Sequence, residues 1–315
     1  MKNIYSNIFS FNKKILKKTI KALNQGNLAS LPTETVYGLA GNAYSQKAIK
    51  KIYNLKKRPK KNPLIVHYYD SKMASNDVLL NKNFLKLYKK FCPGPITFVL
   101  KKNKKSKISS LATSSLNTVA IRFPNHKIIR SILKYLSFPL AMPSANLSSG
   151  LSPVSASDVF EEFKNKINII INGGKSKFGI ESTVIDLTKK PKVLRPGIIN
   201  SDKIRKLIKI NISKKTSKIR SPGMLKKHYS PGIPVILNKK PNNIKHAHII
   251  FGKKYKNKKN TFNLSKKADL KEAASNLYKT MRIIKKKGYK KIFVTKIPNI
   301  GYGIAINDRL TRASK

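Results

Sequence analysis

The chain has 315 residues and a formal net charge of +56, from 68 lysines and arginines against 12 aspartates and glutamates. A chain of this length can bury the core of one large domain or of two ordinary ones. Its single cysteine excludes an internal disulfide framework, and no apolar run approaches the ~20 residues of a membrane-spanning helix.

The N-terminal segment predicts an amphipathic helix. Apolar residues recur at helical spacing from Ile15 to Leu23, and Gly26 ends the pattern. The same segment lacks the continuous apolar run of a signal peptide. We therefore expect a cytoplasmic protein without membrane contact.

The stretch 31–67 is the most informative part of the chain. A short apolar run ends at Pro32 and is followed by the polar cluster 33–35. A helix that Ser45 can cap then leads through a basic loop to a second apolar run, which ends at His67. Ligands gather at strand ends in α/β sheets because the loops there vary on a rigid frame. The stretch therefore predicts a binding pocket.

Strands and helices alternate unevenly from residue 84 to residue 208. Uneven alternation favours a mixed, twisted sheet with flanking helices over a strict parallel repeat, so we predict an α/β (α+β) domain over residues 1–208. A capping box is predicted at 155–158, and a mobile surface loop at 103–117. The predicted helices are 84–91 and 126–136, and the predicted strands are 96–100, 118–124, 139–142, 168–171, 184–187 and 193–194.

Residues 209–231 predict a linker, because Lys, Ser, Thr, Pro and Gly dominate them. The end of this segment, SPGMLKKHYSP at 221–231, is too distinctive for a plain spacer and suits a lid. Residues 232–315 predict a smaller, Rossmann-like α/β domain, with strands at 235–237, 247–251 and 291–295 and a helix near 268–284.

The high positive charge has two interpretations. The electrostatic field of a strongly basic surface attracts nucleic acids whatever their sequence, because it acts on their phosphates. However, only 9 of the 68 basic residues are arginines, and the lysine excess accompanies abundant Asn and Ile, which share A/T-rich codons. Compositional drift on solvated faces is therefore the favoured interpretation. Arg58, Arg122 and Arg195 stand out against this drift, because arginine holds oxyanions with a rigid fork that lysine lacks.

Several common kinds of active site have little support. The chain contains no GxxxxGK[ST] phosphate loop and no GxGxxG dinucleotide motif. His246 and His248 share a strand face, but no cysteine or acidic residue lies nearby in the sequence to complete a metal site. Cys92 is expected to pack rather than react, and Ser144 and Ser182 lack the GxSxG elbow of a hydrolase. We therefore predict neither a metal site nor a covalent intermediate.

A phosphate-binding constellation has better support. Lys56, Arg58 and Arg195 can hold a polyphosphate, to which the hydroxyls of Ser144 and Thr118 add hydrogen bonds. The alternative is that Lys56 and Arg58 only decorate a helix C-terminus, where cations are favoured. That alternative is the stronger one for Lys56 in a lysine-rich chain and the weaker one for Arg58.

Eight motifs in order resemble those of the YrdC-type threonylcarbamoyl-AMP synthases, in their long two-domain form. They cover most of residues 28–231, and the stretch GYGIAINDRLTRAS at 301–314 is similar to the end of that family's C-terminal domain. The eight segments are PTETVYGL (32–39), KKRPKKNPLIVH (56–67), PGPITFVL (93–100), TVAIRFP (118–124), PSAN (143–146), GIESTVIDL (179–187), LRPG (194–197) and SPGMLKKHYSP (221–231).

The resemblance implies a reaction in which L-threonine, bicarbonate and ATP give threonylcarbamoyl-AMP and pyrophosphate. The product supplies the threonylcarbamoyl group for the adenosine next to the anticodon in tRNA, and separate transferase proteins carry out that step. ATP is then a substrate that brings Mg²⁺ on its triphosphate, and RNA or tRNA is a further expected contact.

The resemblance also implies site residues, position by position. The linker would reach back over ATP through Tyr229 or Ser230, and Met142 stands where we would expect a smaller alanine. The remaining nucleotide-binding positions are Lys56, Arg58, Asn62, Thr118, Ser144, Asn146, Ser152 and Arg195. The threonine-binding positions are Thr35, His67, Arg122, Ser182 and the backbone of Met142.

Two other functions stay open on the sequence alone. The first is a double-stranded-RNA or ribosome-associated binding protein, which the net charge favours and which would have no use for a lid. The second is a related carbamoyl-adenylate enzyme that takes carbamoyl phosphate instead of threonine. Glu34 and Glu181 either orient their neighbours or pair with a cation.

Overall fold

The computed structural model describes residues 6–210, 228–241, 245–255 and 258–315. Within these ranges the strands form a ten-stranded sheet and a four-stranded sheet. Most of the predicted linker, residues 211–227, lies outside the described part of the chain. The boundaries at 208 and 231 therefore stay predictions.

The larger sheet is mixed, as the uneven alternation predicted. It contains β1 (Ile8–Ser10), β2 (Ala29–Leu31), β3 (Gly38–Asn42), β4 (Ile65–His67), β5 (Ile96–Lys101), β6 (Thr118–Arg122), β7 (Leu140–Ala141), β8 (Ile170–Asn172), β9 (Thr183–Asp186) and β10 (Lys192–Arg195). The order is β1-β8-β2-β3-β7-β4-β6-β5-β9-β10. The pairs β1/β8, β2/β8, β4/β6 and β5/β9 are parallel, and the other pairs are antiparallel.

The smaller sheet is entirely parallel, which confirms the second α/β unit. Its strands β11 (Val235–Leu237), β12 (Ala247–Ile250), β13 (Thr261–Asn263) and β14 (Ile292–Val294) lie in the order β11-β14-β12-β13. The sequence pattern did not predict β13, because its residues TFN include one apolar side chain and so form no apolar run.

Side-chain caps begin several helices, and those at Ser45 and Ser155 were predicted from the sequence. Asn12, Ser45 and Ser155 each accept a hydrogen bond from a backbone N–H of the first turn, and Ser155 forms the predicted capping box with Asp158. The α-helices are α1 (Lys13–Asn24), α2 (Gln46–Lys56), α3 (Ser71–Ser75), α4 (Lys82–Phe91), α5 (Lys127–Lys134), α6 (Ala156–Phe163), α7 (Ser201–Arg205), α8 (Leu270–Lys286) and α9 (Tyr302–Ala313). No helix of the described ranges is long and apolar enough to cross a membrane.

The loop 103–117 has no helix or strand, as predicted, but it is not a plain surface loop. Ile108 and Ala112 are buried in the main apolar core. The carboxylate of Asp77 accepts hydrogen bonds from the Ser106 hydroxyl and from the Lys107 backbone N–H. The buried carboxylate of Asp77 therefore holds the loop 103–117 in place, although the Lys- and Ser-rich composition of this loop suggested that it lies in solvent.

The two sheets share an apolar core. One cluster contains Val36, Leu151 and Ile180 from the larger domain and Leu277 and Ile306 from α8 and α9. Gly179 allows this approach, because a Cβ atom there would lie 2.7 Å from the Ser275 backbone. The C-terminal domain therefore packs directly beside the strand ends that carry the predicted pocket.

Candidate active site

A small cavity lies where β3 begins and where β4, β6, β7 and β10 end. Eight of the fifteen predicted site residues line it, from segments that are up to 171 positions apart in the sequence. These residues are Arg58, His67, Arg122, Met142, Ser144, Ser182, Arg195 and Tyr229.

His67 and Arg122 define one end of the cavity. They are register partners at the carboxyl ends of the parallel strands β4 and β6, so their side chains leave the sheet side by side. Arg122 Nη2 donates to Glu34 Oε1 at 2.8 Å, and both side chains are buried. Arg122 Nε and Glu34 Oε2 have no hydrogen-bond partner, which leaves one donor and one acceptor available to a ligand.

The imidazole of His67 is held neutral. Burial lowers its pKa well below the usual value, and the positive charge of Arg122 lowers the pKa further. Its Nδ1 atom is buried without a hydrogen-bond partner. A neutral imidazole with one free nitrogen can accept or donate a single hydrogen bond to a small ligand.

Arg195 and Ser182 form the opposite wall. Arg195 donates through Nε and Nη2 to the carbonyl oxygen of Ser182, at 3.2 and 2.9 Å, and through Nη2 to the Ser182 hydroxyl at 3.1 Å. That hydroxyl also lies 2.8 Å from the Thr97 hydroxyl. The turn after Arg195 needs Gly197, where a Cβ atom would lie 2.3 Å from the Thr183 nitrogen. Ser182 is therefore fixed from both sides.

Arg58 is a buried cation, and two carbonyl groups accept hydrogen bonds from it. It donates to Asn62 O at 3.0 Å and to Pro63 O at 2.9 Å. Burial lowers its pKa to about 10, so it stays charged at neutral pH. The Asn62 side chain is buried, and neither its oxygen nor its nitrogen has a partner. Arg58 and Asn62 thus offer charge and hydrogen bonds that the protein itself does not consume.

Lys56 lies behind the cavity rather than in it. Its Nζ donates to the carbonyl oxygens of Ser144, at 2.6 Å, and Asn146. Burial lowers its pKa well below the usual value, and Arg58 adds to this effect. Lys56 therefore holds the 143–146 loop in place, and that loop pairs with β3 through a bridge between Gly38 and Ser144.

Glu181 lines the cavity and is the centre of a buried hydrogen-bond network. Its carboxylate accepts from Ser152 Oγ at 2.5 Å, from Tyr278 OH at 3.1 Å and from Arg309 Nε at 2.7 Å. Burial would raise the pKa of Glu181, but Arg309 and then Arg195 hold it at about 2. The carboxylate pairs with a cation, and it also orients Ser152.

The segment 228–230 closes the cavity from above. Tyr229 is 1% exposed and has a positive φ of 64°, and its hydroxyl has no hydrogen-bond partner. The guanidinium of Arg309 lies 4.9 Å from the Tyr229 ring centroid. Ser230 lies farther out, where its N–H donates to Ser149 O at 2.8 Å. Of the two predicted linker contacts, Tyr229 faces the cavity and Ser230 does not.

Met142 and Thr35 shape the floor of the cavity. The Met142 side chain lies over Gly38, where a Cβ atom would come within 2.4 Å of Met142 Cγ. The Thr35 hydroxyl lies 2.9 Å from that of Thr33, which donates to Val36 O. Thr33 lines the cavity, and Thr35 supports it from behind.

Thr118 is the predicted residue that lies farthest from the others. It begins β6, whose end carries Arg122, and five strand residues span about 13 Å. Thr118 lines a separate surface groove together with Lys101 and Lys102.

Sequence reasoning did not find Tyr278 and Arg309, which reach Glu181 from the C-terminal domain. The rarity of arginine in this chain was the signal that could have indicated Arg309. No pattern in α8 marks Tyr278, whose spacing is that of an ordinary core residue. Among the described residues, no three His, Cys, Asp or Glu side chains cluster closely enough to hold a metal ion.

Comparison with known proteins gives consistent results. Residues 21–197 match a family model described as telomere recombination, whose name joins Sua5, YciO and YrdC, and residues 199–315 match the threonylcarbamoyl-AMP synthase C-terminal domain. The threonylcarbamoyl-AMP synthase of Pyrococcus abyssi is 37% identical over 93% of this chain and 92% of its own length. That of Bacillus subtilis is 34% identical over 93% of this chain and 90% of its own length.

A solved structure shares the whole architecture. The crystal structure of Pyrococcus abyssi Sua5 with L-threonine superposes with a TM-score of 0.88 at 33% identity. The match covers 98% of this chain and 97% of that one, so both sheets and their arrangement are common to the two proteins.

Proposed function

This chain belongs to the Sua5/YrdC family, and we propose that it is an L-threonylcarbamoyladenylate synthase. In the proposed reaction, L-threonine, bicarbonate and ATP give threonylcarbamoyl-AMP, pyrophosphate and water. The observation that carries the proposal is the convergence of three buried arginines, Arg58, Arg122 and Arg195, on one cavity. The threonine carboxylate, bicarbonate and a polyanionic nucleotide need such a site.

Threonine is assigned to the end of the cavity that holds Arg122. The free Nε of Arg122 supplies a charged donor for the threonine carboxylate, and Glu34 keeps that guanidinium from turning away. The neutral His67 and the hydroxyl of Ser182 can bind the amine and hydroxyl of the amino acid. Met142 closes the floor, and Thr35 holds Thr33 in position behind it.

ATP is assigned to the side that holds Arg58 and Arg195. Both keep a positive charge in a buried site, where charge–charge attraction is stronger than in water. The unpartnered amide of Asn62 and the Ser144 segment add hydrogen bonds. Tyr229 covers the nucleotide from above. Lys56, Asn146 and Ser152 support this side from behind, and Thr118 and Ser230 could reach only the outer parts of the nucleotide.

The chemistry depends on position and charge. The threonine amine attacks bicarbonate carbon and water leaves, which gives the carbamate. A carbamate oxygen then attacks the α-phosphorus of ATP, and the bond from that phosphorus to the β-phosphate bridging oxygen breaks, so that pyrophosphate leaves. Fixed arginines offset the repulsion between these anions, and no covalent enzyme intermediate is required.

Magnesium is proposed to enter with ATP as part of the substrate. Glu181 and Glu34, the carboxylates nearest the reacting groups, are each bound by an arginine. Mg²⁺ prefers phosphate oxygens and water to such occupied carboxylates, so the triphosphate is its natural carrier. We further propose that the product passes in the cytoplasm to separate proteins that transfer it to tRNA, with a direct RNA contact favoured by the basic surface.

The test is a reaction of purified protein with ATP, bicarbonate and threonine. We expect pyrophosphate release that requires both bicarbonate and threonine. Replacing bicarbonate and threonine with carbamoyl phosphate should abolish it. Tight, salt-sensitive binding of double-stranded RNA by a folded protein without threonine turnover would instead support a binding function.

A further inference from the structure

Glu181 presents a difficulty for a site that binds polyphosphate. Its carboxylate lines the same cavity as Arg58 and Arg195, so a free negative charge there would repel the nucleotide and attract the arginines. Among the described residues of the larger domain, the hydroxyl of Ser152 is the one that donates a hydrogen bond to this carboxylate. The other contacts come from the C-terminal domain.

Arg309 of α9 supplies the compensating charge. It is 1% exposed, donates through Nε to Glu181 Oε2 at 2.7 Å, and donates through Nη1 to Pro196 O at 3.0 Å. Asp308 also pairs with Arg309, at 2.6 Å. One guanidinium thus contacts the Glu181 carboxylate and the turn that follows Arg195.

The other groups that face Glu181 are consistent with Arg309 as its main counter-charge. Tyr278 of α8 and Ser152 contribute neutral hydroxyls. Arg195 of β10 is the second cation acting on the carboxylate, and His228 and Tyr229 lie close enough to interact with it. Without Arg309, Arg195 would therefore be the nearest remaining counter-charge.

We propose that Arg309 is a positioning residue of the active site, which neutralises Glu181 so that Arg195 and Arg58 stay available to the nucleotide. The inference rests on the proposed function and gives the C-terminal domain a defined part in it. The domain does not merely cover the cavity; it completes the charge balance on which nucleotide binding depends.

The test compares three variants with the wild type. Arg309→Gln removes the charge and keeps a hydrogen-bonding amide, and Arg309→Gln/Glu181→Gln removes both charges. Arg312→Gln is the matched control, because Arg312 lies one turn along α9 and pairs with Asp308 instead of Glu181. KM for ATP and the affinity for a non-hydrolysable ATP analogue are measured from pH 6 to pH 9, after thermal melting confirms folding.

We expect Arg309→Gln to weaken nucleotide binding by about tenfold or more at pH 8, the size of one uncompensated charge interaction. The weakening should shrink as the pH falls, because Glu181 without Arg309 has a raised pKa and takes up a proton. The double variant should recover most of the affinity that Arg309→Gln loses at pH 8, and Arg312→Gln should bind within about twofold of the wild type at every pH.

Other outcomes overturn the inference. One such outcome is nucleotide binding that is unchanged in Arg309→Gln. Another is binding that is weakened equally at all pH values and is not restored in the double variant. Either result would mean that Arg309 only holds the two domains together. Should Arg309→Gln not fold, a folded double variant that binds the analogue about tenfold more weakly than the wild type would also overturn it. A wild type that binds the analogue but does not turn over threonine contradicts the proposed function alone.

Discussion

His67 and Arg122 are neighbours in register at the carboxyl ends of the parallel strands β4 and β6, although 55 positions separate them in the sequence. The pairing puts a neutral imidazole directly beside a guanidinium that Glu34 holds from the other side. The parallel pairing of β4 and β6 permits this, because two parallel neighbours end at the same edge of the sheet.

Arg58→Ala should abolish efficient nucleotide use without unfolding the protein. Its guanidinium donates to two carbonyl oxygens, so its loss should cost about 1–3 kcal/mol of unfolding free energy. Loss of a fixed charge at the phosphates should lower kcat/KM for ATP about a hundredfold or more. Steady-state kinetics check this, with exposed Lys60→Ala as the control; near-normal ATP turnover in Arg58→Ala would remove Arg58 from the site.

Arg122→Gln should impair threonine use and also destabilise the fold. Glu34 would be left as a buried unpaired charge, which costs about 3–5 kcal/mol. The double variant Glu34→Gln/Arg122→Gln should recover most of that stability but not threonine affinity. Urea denaturation and threonine titration separate the two effects. Recovery of threonine affinity in the double variant would show that Arg122 acts only as the partner of Glu34.

Gly38→Ala tests the packing of Met142 at the floor of the cavity. The added methyl group would meet Met142 Cγ at 2.4 Å, and such overpacking costs about 1–3 kcal/mol. We expect this cost to fall by at least about half in a Met142→Ala background, as measured by a double-mutant cycle of unfolding free energies. Additive costs would mean that the strain at residue 38 does not come from Met142. Met142→Ala alone should also admit amino acids larger than threonine.

Folding stability should decrease as the pH falls below 7. Burial lowers the pKa of His228 to about 3, whereas the unfolded histidine titrates near 6.5, so only the unfolded chain binds this proton between those values. Glu181 also destabilises the fold as the pH falls from 4.5 to about 2, because its pKa is about 2 in the folded protein and 4.5 in the unfolded chain.

Each group then costs at most about 1.4 kcal/mol per pH unit within its own window. Urea denaturation at pH 7, 6, 5 and 4 checks this trend. The variant His228→Asn should show a smaller decrease between pH 6 and pH 5 than the wild type. Equal decreases in the two proteins would place His228 in solvent rather than in the core.

The fold could be predicted in its long elements and not in its short ones. Periodicity gave α1, α2, α4, α5 and α8, and the cap Ser45 gave the start of α2. Three-residue strands were predicted where they are continuous apolar runs, as in β11, and β13 and β1 were missed because they are not such runs. Helix α9 was not predicted as a helix, because Gly303 and the small residues around it weaken the helical pattern. Its stretch was noted only for its resemblance to the known family.

The candidate site shows the same division. The motifs by themselves determined which charged and hydroxyl residues occur in a fixed order, and their resemblance to a known family predicted that these residues share one cavity, which eight of the fifteen line. Only the tertiary structure decided that Lys56 works from behind the 143–146 loop and that Thr118 lies about 13 Å along its strand from Arg122. It also decided that Arg309 reaches Glu181 from a second domain. Contacts between residues 128 positions apart depend on how two sheets pack, and packing leaves no periodic trace in the sequence.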